Sequence, residues 1–151
     1  MKKLLSLVCL FGVLPLAGCL SFVHVPHRVI GTFPPGVYTN VSMQVNLPKD
    51  RRSWEIGLWP SPGTNGFPET HLVAKVTNLS PETLAVGGKV VRWGETSVIY
   101  AGKMDDLARM SFLFDCDTHE HKVKFQLEFE FKPEWRLDHP VKLSAHGRDA
   151  I

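Results

Sequence analysis

The densest run of chemically capable side chains is Asp115-Cys116-Asp117-Thr118-His119-Glu120-His121, where every residue but Thr118 can ligate a metal. In extended backbone His119 and His121 project to one side, as do Asp115 and Asp117, so two imidazoles or a Cys/His set can meet a zinc or copper ion. Asp115, Cys116, Asp117, His119 and His121 are therefore the candidate ligands of a metal-binding envelope protein. The spacing matches no standard zinc motif, and Asp115-x-Asp117 lacks the other positions of a calcium loop. A solvated surface hairpin loop with Cys116 as a lone thiol explains the same composition, and no cofactor is expected.

Two other sets could act on glycans. Glu128 and Glu130 share a strand face with Lys124 and Gln126, which is a carboxylate pair for glycoside hydrolysis or a charged face that keeps a strand soluble. Trp59 falls out of phase with Trp54, Ile56 and Leu58, and Trp93 sits beside Arg92 at the Gly94 turn, so both are candidates for aromatic binding of a sugar ring or a partner. No G-x-S-x-G, H-E-x-x-H or G-x-x-x-x-G-K-[ST] signature occurs, and the expected role is non-catalytic.

Met1-Lys2-Lys3 is a short basic region, and the apolar stretch over 4–16 is too short to span a bilayer as a helix. Leu16-Ala17-Gly18-Cys19 follows, and the whole resembles the signal and lipobox of bacterial lipoproteins. That resemblance implies a signal peptide over 1–18, cleavage before Cys19, and acyl chains on Cys19 that hold a domain over 19–151 to a membrane. By the same resemblance Leu20, where an aspartate would signal inner-membrane retention, implies an outer-membrane destination facing the periplasm in a diderm host. The partner expected there is an envelope protein or a glycan. Without the first eighteen residues the remaining 133 carry 15 basic and 15 acidic side chains, a balance that argues against nucleic-acid binding.

The elements that must position these groups read as strands. Val41, Met43, Val45 and Leu47 alternate with polar residues, as do Val123, Phe125, Leu127, Phe129 and Phe131. Trp54, Ile56 and Leu58 form a third row, and Met110, Phe112 and Phe114 a fourth. Less regular strands are expected over 71–77, 84–92 and 96–101, with short ones near 22–30 and 140–145. Turn chemistry at Pro34-Pro35-Gly36, Asn78-Leu79-Ser80-Pro81, Gly87-Gly88 and Gly94-Glu95 separates them, and only 103–108 reads as a helical turn. The expectation is an all-β antiparallel sandwich of about 7 to 9 strands. Asp106, Ala108, Met110 and Phe112 resemble the corner and strand of the immunoglobulin class, with Trp54 on the third strand, which implies an immunoglobulin-like order.

Overall fold

The computed structural model describes residues 27–48, 53–60, 67–104, 110–116 and 123–148. Among the described residues ten strands, rather than the expected 7 to 9, follow one another: β1 (His27–Phe33), β2 (Gly36–Leu47), β3 (Ser53–Trp59), β4 (Thr70–Asn78), β5 (Leu84–Val86), β6 (Lys89–Val91), β7 (Thr96–Met104), β8 (Met110–Cys116), β9 (Val123–Leu137) and β10 (Val141–Arg148). They form a six-stranded sheet, β1-β10-β3-β8-β5-β6, and a four-stranded sheet, β2-β9-β4-β7, all antiparallel. The antiparallel sandwich expected from the alternating rows is present. Lys103 and Met104, expected to begin a helical turn, instead end β7, and 105–109 lie outside the described residues. Among the described residues no helix is long and apolar enough to cross a membrane.

The pairings are nested. β1 pairs with β10, β2 with β9, β3 with β8, β4 with β7 and β5 with β6. The chain is thus one long antiparallel ribbon doubled back at Gly87-Gly88, then rolled so that β10 also meets β3, β9 meets β4, and β8 meets β5. That is the strand order of a jelly roll. The immunoglobulin-like order is corrected on this point: Trp54 and Phe114 do pair between β3 and β8, but the next strand, β9, lies in the opposite sheet. For the same reason β8 and β9 do not pair as a hairpin. Phe114 and Phe125 stack across the core at 4.7 Å with an interplanar angle of 16° instead of facing each other in one ladder.

The ribbon tip is a two-residue turn in which Gly87 and Gly88 both have positive φ, 56° and 79°. A type I′ hairpin needs both central residues in that region, which glycine reaches without steric penalty.

Between the sheets lie the inward rows foreseen from the alternation. Phe125, Leu127 and Phe129 are buried, while Lys124 on the opposite face is exposed. β9 does not keep this alternation to its end. Opposite Tyr38 and Asn40 its register slips, and Lys132, Pro133 and Glu134 stand exposed before Trp135 turns inward. Pro133 has no N–H to give a ladder, which suits it to such an irregularity. Its carbonyl is taken by the buried Thr70, whose Oγ1 donates at 2.5 Å.

The strand directions define two ends. β1 begins at the proximal end, together with the β2–β3, β4–β5, β6–β7 and β8–β9 connections and the end of β10. The β1–β2, β3–β4, β7–β8 and β9–β10 connections lie at the distal end.

Candidate functional site

Alternation along β2, β9 and β4 puts polar side chains in cross-strand rows on the outer face of the four-stranded sheet. Gln44, Gln126 and Thr77 make one row, Ser42, Glu128 and Lys75 the next, and Asn40, Glu130 and Val73 a third. A shallow groove of about 340 Å³ runs along the last two rows. The row beside it is ordered by short hydrogen bonds. The Gln126 amide donates to Ser42 Oγ at 2.8 Å and to Glu128 Oε1 at 2.9 Å, and the hydroxyls of Thr77 and Thr96 share one at 2.7 Å. Lys132 Nζ sits 2.5 Å from Glu130 Oε1. Its hydrogen bond and positive charge hold the Glu130 carboxyl below the ordinary carboxylate value, with Lys75 adding a smaller pull, and Glu130 raises the Lys132 ammonium in return. The face therefore offers amide, hydroxyl and charged groups at fixed positions.

The second feature is the proximal turn between β6 and β7. Glu95 N donates to the Arg92 carbonyl at 3.0 Å, and Gly94 has φ of 75°, as a type II turn requires at its third residue. Trp93, at the second position, is 72% exposed. Arg92 and Glu95 flank it with an exposed ion pair at 3.9 Å, and Glu95 Oε2 also accepts the Arg92 N–H at 2.9 Å.

This turn is tied to the body by Asn78, a fully buried residue that reads in the sequence only as part of a turn. Its Nδ2 donates to the carbonyls of Glu82 at 2.7 Å and Val91 at 2.9 Å, and its Oδ1 accepts the Ser80 N–H at 2.9 Å. Its backbone donates to Glu95 O at 3.0 Å and accepts from Gly94 N at 2.8 Å. Ser80 Oγ then donates to Lys124 O at 3.1 Å and accepts from Lys124 N at 2.6 Å, joining the turn region to β9. The only signal in the sequence is the Asn78-x-Ser80-Pro81 turn chemistry.

The other predicted residues fall apart in space. Trp59 ends β3 at the distal end, half-buried, its ring 5.1 Å from that of His146 and tilted by 53°. It cannot form one platform with Trp93 at the proximal end. Asp115 is exposed on the outside of β8, opposite Ser53 and Ala85, and Cys116 pairs with Leu84. Asp117, His119, His121 and Cys19 lie outside the described residues. Among the described residues no three His, Cys, Asp or Glu side chains are placed to hold a metal ion.

No protein-family model, curated protein or solved structure matches the chain.

Proposed function

We propose that the protein is a lipid-anchored envelope protein, held by acyl chains on Cys19, whose jelly-roll domain is a non-catalytic module that binds another envelope component. The supporting observation is the outer face of the four-stranded sheet. It combines a shallow groove, a hydrogen-bonded set of polar groups at Ser42, Gln126 and Glu128, and a carboxylate at Glu130 paired with Lys132. In glycoside hydrolysis an ionised carboxylate such as Glu130 serves only as nucleophile or base, and a second carboxyl must act as the acid.

Photo-crosslinking in the native host tests the reading. A photoreactive residue at Ser42 or Thr77, in the groove face, yields one discrete adduct, whereas the same residue at Val29, exposed on the six-stranded sheet, does not. The same cells carry a fatty-acid label on the wild type and none on Cys19→Ser. Equal label overturns the anchor. Soluble sugar released from peptidoglycan by the wild type, and not by Glu128→Gln, overturns the non-catalytic role in favour of a glycan enzyme.

A further inference from the structure

We infer that Trp93 and Arg92 form a second membrane contact, which lays the proximal end of the sandwich on the bilayer that holds Cys19; this rests on the lipid-anchor reading. The anchor precedes β1 by eight residues, a tether of at most about 28 Å at 3.3–3.6 Å per residue. β1 begins at the proximal end, so the end nearest the lipid is the one that carries the β6–β7 turn. β1 and β6 are the two edges of the six-stranded sheet, five strand spacings or about 24 Å apart. The start of β1, where the tether joins the domain, and the tryptophan thus stand at opposite corners of one end. A tether at one corner leaves the domain free to swing, and a contact at the other fixes its orientation.

The chemistry of the turn suits a headgroup layer. An indole places its apolar body among the upper acyl chains and its N–H among phosphates and carbonyls, and the exposed Arg92 guanidinium, held only by its 3.9 Å pair with Glu95, can turn from that carboxylate to a phosphate. The turn spends little entropy on docking, because the Asn78 hydrogen bonds and the Gly94 geometry already hold it. Sugar stacking explains the exposure less well, since the other candidate aromatic, Trp59, lies at the distal end.

The test uses the protein's own fluorescence. Trp54 and Trp135 are buried, at 1% and 0% exposure, and Trp59 is half-buried with its ring against that of His146, so the signal that differs between the wild type and Trp93→Phe belongs to Trp93. The acylated protein is reconstituted into phosphatidylethanolamine/phosphatidylglycerol vesicles, with and without bromine on the acyl chains near the headgroup. The expected result is a shift of emission to shorter wavelength and a loss of emission on bromination, both abolished in Trp93→Phe. An acylated, vesicle-bound protein whose quenching is equal in wild type and Trp93→Phe overturns the contact and leaves the anchor standing. A protein with no acyl chain by mass spectrometry overturns both. A Trp93 shift produced by soluble peptidoglycan fragments, with none on vesicles, overturns the contact and assigns the turn to a glycan.

Discussion

At the distal end Trp135 is fully buried, its ring stacked on Phe131 at 4.8 Å and met by Phe33 and Phe67 at 5.8 and 5.9 Å, with Tyr38 at 6.2 Å. At the proximal end Trp93 stands on the surface, and the residues that organise its turn are Asn78 and Ser80, both buried and polar. One end is closed by apolar packing that cannot be thinned without leaving a hole. The other is held by directional hydrogen bonds that do not involve the indole. An aromatic ring contributes to the fold in the first place and is left over for a partner in the second.

Five substitutions bear on this contrast, in falling order of effect. Trp135→Ala removes the centre of the distal cluster and is expected to cost about 3–5 kcal/mol in urea unfolding; a cost below about 1 kcal/mol would remove the packing half of the comparison. Asn78→Ala strands the Val91 and Glu82 carbonyls and the Ser80 N–H, for an expected loss of about 2–3 kcal/mol. It also frees the β6–β7 turn, so the steady-state anisotropy of Trp93 falls. A stable variant with unchanged anisotropy would show that Asn78 does not hold the turn. Ser80→Ala loses the exchange with Lys124 and should cost about 1 kcal/mol. For Trp93→Ala the expected change lies within about 0.5 kcal/mol, and a larger loss would mean that the ring packs after all.

The smallest effect concerns the outer face. Glu130 has its carboxyl lowered in the folded protein, so its contribution is present above the ordinary carboxylate pKa and lost as pH falls through the lowered one. The pair is exposed and adds little to stability, but Lys132→Met should raise the Glu130 titration measured by NMR towards the ordinary range. An unchanged titration would show that Lys132 is not its cause.

The inward rows of β2 and β9 were legible because alternation depends only on neighbours in the chain, and Val45, Leu47, Phe125 and Leu127 are buried as the pattern predicts. Trp93 was legible too, since a tryptophan beside a turn glycine has little backbone left to bury it. Strand order was not. His27 pairs with His146, and nothing local to either residue announces a partner so distant in the chain. The spacing of Trp54 and Phe112 fits an immunoglobulin order as well as the jelly-roll one, because both place the third strand beside the strand holding Phe112. β9 runs on through Pro133 to Leu137 because a register slip absorbs the proline, and a slip is a property of the ladder rather than of the strand. Asn78 looks like any turn asparagine until the β6–β7 crossing closes over it.

The nested ribbon also dictates an order of events in time. Among the described strands only β5 and β6 are both consecutive and paired, so every other ladder must wait for a stretch of chain that does not yet exist when its first half is made. A chain that emerges amino terminus first presents β1 to β4 with no partner until the residues after Gly88 follow. During that interval β2, twelve residues without a charge, is an open template for strands of other molecules. Loop closure thus costs least for the ladders nearest the Gly87-Gly88 tip, β4 with β7 after β5 with β6, and most for β1 with β10, whose halves are farthest apart in the chain.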